Sequence, residues 1–174
     1  EAGGTAQFSV ILTSEPVADV TVGLSSSDAT EGSVTPSLTF TSVNWSTPQP
    51  VNVSGVNDFV DDGDQPFTIV TAAATSTDPK YSGMASSDVT ATNTDNDTAG
   101  ITITPTSGLV TTEAGAAATF TIVLDSEPTA DVSFGLSSND VTEGTVSPAS
   151  VTFTNLNWNR PRTMTVTYPP PIFS

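Results

Sequence analysis

Apolar and polar positions alternate along most of this chain. Phe8, Val10 and Leu12 are interleaved with Gln7, Ser9 and Thr13, and Val20, Val22 and Leu24 with Thr21 and Gly23. Phe120, Ile122 and Leu124 repeat the first pattern, and Val132, Phe134 and Leu136 the second. A period of two with β-branched enrichment predicts strands that bury one face. Further strands are expected at 37–41, 51–56, 66–75 and 88–94. Segments 101–104 and 109–112 read as one strand interrupted at 105–108, as a proline in an edge strand would do. Glu-Pro at 15–16 and 127–128, Glu-Gly at 31–32 and 143–144, and Asp-Gly at 62–63 mark turns. No segment carries a helical period.

The pattern recurs over a long interval. EAGGTAQFSVILTSEPVADV, from Glu1, returns as EAGAAATFTIVLDSEPTADV, from Glu113. Asp19 to Asp131 and Glu31 to Glu143 are each 112 residues apart; one inserted residue then makes it 113, from Phe40 to Phe153 and Trp45 to Trp158. Solenoid units repeat every 20–50 residues or so, so this interval is a whole domain. About seven short strands in roughly 110 residues is the profile of an immunoglobulin-like sandwich. The expected fold is therefore all-β: tandem immunoglobulin-like antiparallel sandwiches, repeat 1 at 1–98 and repeat 2 at 99–174. Repeat 1 has no counterpart of GITITPTSGLVTT, and repeat 2 has none of SGVNDFVDDGDQPF or of residues 68–93. Repeat 1 is thus expected to lack its first strand and repeat 2 its last third, with repeat 2 completed by strands from outside the sequence. The tail 168–174 cannot do this within the domain, because Pro169, Pro170 and Pro171 have no N–H for a ladder. Trp45 and Trp158, each in an NWxxP sequence, are expected in the core, with carbohydrate stacking as the alternative role.

Charge narrows the partners. Nineteen acidic residues face only Lys80, Arg160 and Arg162, a net charge of −16. Nucleic acid and anionic membranes call for clustered Lys and Arg, so neither is an expected partner. Cys and His are absent, which removes disulfides, thiolate metal sites, and Ser-His-Asp or Cys-His catalysis. No apolar run approaches the roughly 20 residues of a membrane-spanning helix. Paired carboxylates can hydrolyse glycosides, but here they lie in charged turns rather than an aromatic-lined cleft. Asn44, Asn52 and Asn96 sit in N-x-S/T sequons, which are too short to carry information.

The candidate chemistry lies in the carboxylates. Asp58, Asp61, Asp62 and Asp64 crowd the turn NDFVDDGD between two expected strands. Like charges that close repel, and a hard cation with six to eight oxygen ligands relieves them; Ca2+ suits a flexible all-oxygen loop. The spacing is not that of an EF-hand. Other acids fall at strand ends in both repeats: Glu1 and Glu113, Asp28 and Asp140, Glu31 and Glu143. The linker TNTDNDTAG adds Asp95 and Asp97. The alternative is that these acidic loops are solvated and only keep the protein soluble.

Taken together, the TEAG-type turn, SSSDATEGSV, GVND, the DGD loop, F-x-I and the closing DND resemble the Calx-β module. That family occurs in sodium–calcium exchangers, an integrin subunit, and long bacterial adhesins and surface proteins. The resemblance implies a seven-stranded sandwich with calcium ions clustered at the tip formed by several loops. Its implied ligands are Glu1, Asp28, Asp62, Asp64 and the Asp95/Asp97 pair. The family often has E-G-D-E where this chain has Asp62-Gly63-Asp64-Gln65, which weakens one calcium position. Repeat 2 keeps Glu113 and Asp140 without an acidic loop, so its site is expected to be incomplete. The resulting expectation is a non-catalytic, calcium-binding repeat. It would serve as a rigid spacer in a secreted or cell-surface, adhesin-like bacterial protein, with neighbouring repeats or identical chains as partners. Calcium at the short linker 95–100 would restrict the angle between modules set end to end. The alternative is a structural subunit of an extracellular filament assembled by strand exchange.

Overall fold

The computed structural model describes residues 3–169. All regular structure in them is β, in antiparallel ladders. The chain divides into two compact units, one of Glu1–Asp58 with Asp62–Asn96, the other of Phe59–Asp61 with Asp97–Ser174. Among the described residues, no helix is long and apolar enough to cross a membrane.

The first unit holds β1 (Thr5–Val10), β2 (Val20–Ser26), β3 (Gly32–Val34), β4 (Ser37–Phe40), β5 (Gln49–Gly55), β6 (Gln65–Thr71), β7 (Thr75–Ser76) and β8 (Val89–Asn93). One sheet runs β1-β5-β3, the other β4-β2-β6-β8, with β7 also on β2. Alternation does what the sequence predicts: Val20, Val22 and Leu24 of β2 are buried, as are Val51 and Val53 of β5. These side chains from both sheets join Leu38, Phe40, Phe67 and Ile69 in a single core. Burying one face of each strand supplies the driving force, about 25 cal/mol per Å² of apolar surface removed from water.

The second unit holds β9 (Ile101–Thr104), β10 (Ala117–Leu124), β11 (Val132–Gly135), β12 (Thr145–Ser147), β13 (Ser150–Phe153) and β14 (Arg162–Thr167). The order β12-β14-β10 matches β3-β5-β1 strand for strand, and β9 adds a fourth strand beside β10. Even the register is kept: Phe8 faces Val51 and Phe120 faces Met164. The other sheet has only β11 and β13 among the described residues, against the β4-β2-β6-β8 set in the first unit. Its core is correspondingly smaller: Ile122, Leu124, Val151, Phe153 and Met164, with Phe134, Leu136 and Trp158 packed at its margin.

Several expectations are corrected. Segment 109–112 is not a strand: Val110 is 68% exposed, so it has no face to bury. The chain there is bounded by Gly108 and Gly115 in the left-handed region, and Gly115 N donates to Thr112 O in a tight turn. The strand expected over 66–75 breaks after Thr71. Ala72 N still donates to Gly23 O, but Ala74 exchanges bonds with the 83–84 turn through Ala74 N to Met84 O and Gly83 N to Ala74 O. Trp45 and Trp158 are half-buried rather than fully inside, and Trp158 alone packs against a core. Strands β3 and β12, three residues each, begin next to Glu-Gly pairs that read as turns.

Candidate functional site

The acidic residues do not act alike. Asp28 and Asp140 follow β2 and β11 and close the same local turn. Each Oδ1 accepts from the backbone N–H two residues on at 3.0 Å and from the same threonine's hydroxyl at 2.6 Å, Thr30 in one case and Thr142 in the other. Hydrogen bonds to the charged form hold both carboxyls below the ordinary aspartate value, the threonine hydroxyl contributing most. Both residues are exposed. Their structural part is that of an aspartate whose side chain replaces a backbone turn.

In the first unit, the turn before β6 and the segment after β8 are tied reciprocally. Gly63 N donates to Asp95 Oδ2 at 2.7 Å, Asp95 N donates to Asp64 Oδ1 at 3.0 Å, and Gln65 Nε2 donates to Asp62 O at 2.9 Å. The tie follows from topology: β6 and β8 pair from Gln65↔Asn93 to Ile69↔Val89, so the residues just outside that ladder must meet. Gly63, at φ 77°, supplies the left-handed residue the turn requires. Asp62, Asp64 and Asp95 are thereby brought to one end of one hairpin. Each backbone tie to a charged oxygen is of the stronger, charge-assisted kind.

In the second unit, Asp61 Oδ2 accepts from Ala99 N at 2.7 Å. Glu127 N donates to Phe59 O at 2.6 Å, and the Phe59 ring lies 5.8 Å from that of Trp158. Glu113 lies 3.5 Å from the Tyr168 hydroxyl, and its charge, followed by burial and Glu143, pushes the phenol above its ordinary value. Asp58 and Asp97 are half-buried, Asp58 O accepting from Asn57 Nδ2. Glu1 lies outside the described residues. Of the ten acids singled out in the sequence as metal ligands, the hairpin end gathers Asp62, Asp64 and Asp95. Among the described residues, no three acidic side chains form a group arranged to hold a metal ion.

The most buried acids, Asp78 and Glu31, lie outside the expected ligand set. Asp78, 3% exposed, accepts from Val17 N through Oδ2 and from Lys80 N through Oδ1, both at 2.9 Å. Its signal was the Asp78-Pro79 turn dipeptide. Glu31, 8% exposed, accepts from Asn93 Nδ2 at 3.1 Å while that amide also donates to Val56 O. No protein-family model matches the chain, and no curated protein matches it.

Proposed function

We propose that this chain is a non-catalytic, calcium-binding repeat that serves as a spacer in a secreted or cell-surface, adhesin-like protein. The supporting observation is the reciprocal tie of the 62–65 turn to Asp95. It ties the Asp64 and Asp95 carboxylates into one end of the β6–β8 ladder, next to Asp62 in sequence, in a chain with only three Lys and Arg residues. Oxygen-only donors on an irregular loop suit Ca2+ over softer metals. Asp62, Asp64 and Asp95 are the residues that would hold it. Asp28 and Asp140 are committed to their own turns and contribute at most through the oxygen each leaves to solvent. A bound ion would offset the repulsion between neighbouring carboxylates of this acidic segment and so stabilise the end of the ladder.

Calcium that binds only the folded chain stabilises it by RT ln(1 + [L]/Kd), about 2.7 kcal/mol at a hundredfold excess over Kd. The expected result is a melting temperature higher in millimolar Ca2+ than in EDTA, with the difference abolished in D62N/D64N. Identical melting in both conditions contradicts the calcium reading. A second reading, a filament subunit assembled by strand exchange, is favoured by one observation: among the described residues, β11 has β13 as its sole ladder partner.

A further inference from the structure

The two units share a strand whose surroundings differ. In the first unit, both edges of β2 are occupied. β4 pairs with Val20–Gly23 on one edge, while β7 pairs with Val20 and Thr21 and β6 with Leu24, Ser25 and Ser26 on the other. Bonds from Ala72 N to Gly23 O and from Ser27 N to Thr68 O extend that second ladder. The turn after β7 then folds over the start of the strand. Tyr81, 5% exposed, donates to Ser14 O at 2.6 Å, and its hydroxyl lies 2.7 Å from Ser14 Oγ. Asp78 accepts from Val17 N beside it.

In the second unit, the residues that receive this segment are all kept. Leu124, Ser126, Val132, Leu136 and Ser138 stand where Leu12, Ser14, Val20, Leu24 and Ser26 stand in the first. Strand β11 pairs with β13 as β2 pairs with β4, and Leu136 N donates to Ala149 O as Leu24 N does to Pro36 O. Where Tyr81 covers Leu12, Ser14 and Val20 in the first unit, the second has an open cavity of about 390 Å³. Leu124, Ser126 and Val132 line it, as do Val60, Asp61 and Gly100, and Ser126 is only 6% exposed. Val132, which lines the cavity, is also the first residue of β11. The apolar side chains above them, Val132, Phe134 and Leu136, are half-buried, whereas Val20, Val22 and Leu24 are buried.

We propose that the outer edge of β11 and of residues 136–139 after it, with the cavity that Val132 lines, form an acceptor site for a polypeptide strand and turn. The occupant is a segment with the chemistry of the repeat's own residues 65–93. It would carry an F-x-I strand to pair with 136–139 and, twelve residues after the isoleucine, a tyrosine for the Leu124/Ser126/Val132 cavity, as Phe67, Ile69 and Tyr81 are spaced. Backbone pairing at the edge supplies affinity and the tyrosine cavity supplies selectivity, the division of labour of strand addition. The site does not depend on the calcium reading and stands if that reading fails. In the first unit the corresponding residues, Leu24–Ser26 with Ser14 and Val20, are covered by its own residues 65–93.

The test uses the unaltered chain and a synthetic peptide of residues 65–93, so folding of a variant protein is not at issue. Titration with labelled peptide should saturate, and amide exchange at Asn139, the counterpart of Ser27, should slow as the peptide is added. Peptides with Tyr81→Ala or with Phe67→Asp and Ile69→Asp should bind at least about tenfold more weakly, the order of loss when a buried anchor is removed. Oligomers of the chain that the peptide dissolves would support the site, with a second copy as donor. Binding by a chain that remains monomeric would support the site and exclude the filament. Absence of binding up to roughly 1 mM peptide, the weak end of specific association, would overturn the proposal. So would equal affinity of all three peptides, or slowed exchange elsewhere with Asn139 unaffected.

Discussion

Glu31-Gly32 and Glu143-Gly144 are the same dipeptide at the same point of two nearly identical turns, yet their surroundings differ. Glu31 is buried against Asn93, and Gly32 lies under the ring of Phe67, where an added Cβ would fall 2.2 Å from Cζ. Glu143 is exposed, and a Cβ on Gly144 would meet nothing nearer than Val166 Cγ1 at 3.6 Å. The local hydrogen bonds are copied: Gly32 N donates to Asp28 O and Gly144 N to Asp140 O, both at 3.1 Å. Nearby sequence therefore fixes the turn, and both glycines are buried, while burial of the glutamate depends on residues 65–93, for which the second repeat has no match in this sequence. In the first unit the glycine is required by an aromatic ring that packs against it.

The largest expected effects fall where the two units agree. Phe40 and Phe153 are both 0% exposed at the centre of their cores, so Phe40→Ala and Phe153→Ala should each cost about 3–5 kcal/mol. Chemical denaturation followed by Trp45 and Trp158 fluorescence would check this. A large loss at one position and none at the other would show that only one unit has a specifically packed core. Gly32→Ala and Gly144→Ala come next and should divide the units. The first overpacks against Phe67 and should cost about 1–3 kcal/mol. The second should stay within about 0.5 kcal/mol of the parent. Equal effects would break the comparison.

Legibility in the sequence divides along the same line. A period of two needs only the strand and a face to bury, and β2, β4, β5, β10 and β11 lie where that pattern put them, within one or two residues, whereas no strand is expected at β13 or β14, the counterparts of β4 and β5. Strands β3 and β12 were not legible, since three residues carry no period and the Glu-Gly signal pointed to a turn. Segment 109–112 had the composition of a strand without a partner to bury it. Among the acids, the crowding of Asp62 and Asp64 was visible. The family resemblance groups the Asp95/Asp97 pair with them; sequence spacing alone does not, because that meeting depends on the β6–β8 register. Asp28 and Asp140 stand out in the sequence as acids at corresponding strand ends, and the family resemblance makes Asp28 a ligand; in the structure each is bonded instead to the threonine two residues later, which recurs with it.

The smallest effect tests that local equivalence. The folded-state pKa of Asp28 and Asp140 is depressed, so the unfolded chain binds more protons at these sites in acid. Their contribution is fully present above the unfolded value near 3.8 and is lost as pH falls through the folded value. Asp28→Asn and Asp140→Asn should each flatten the acid limb of the stability curve, and by similar amounts. A change at only one of the two would mean that the turns are less alike in solution than in their hydrogen bonds.

The difference between the units is read most directly from amide exchange at two corresponding residues, Ser27 and Asn139, in the intact chain. Ser27 N donates to Thr68 O at 2.8 Å across the edge that residues 65–93 cover. The Asn139 amide follows β11, whose outer edge has no described strand beside it. Strong protection is expected at Ser27 and fast exchange at Asn139, with Leu24 and Leu136, both bonded on the inner edge, protected alike. Equal protection of Ser27 and Asn139 in the chain alone would contradict this, because it would mean that the outer edge of β11 is already covered.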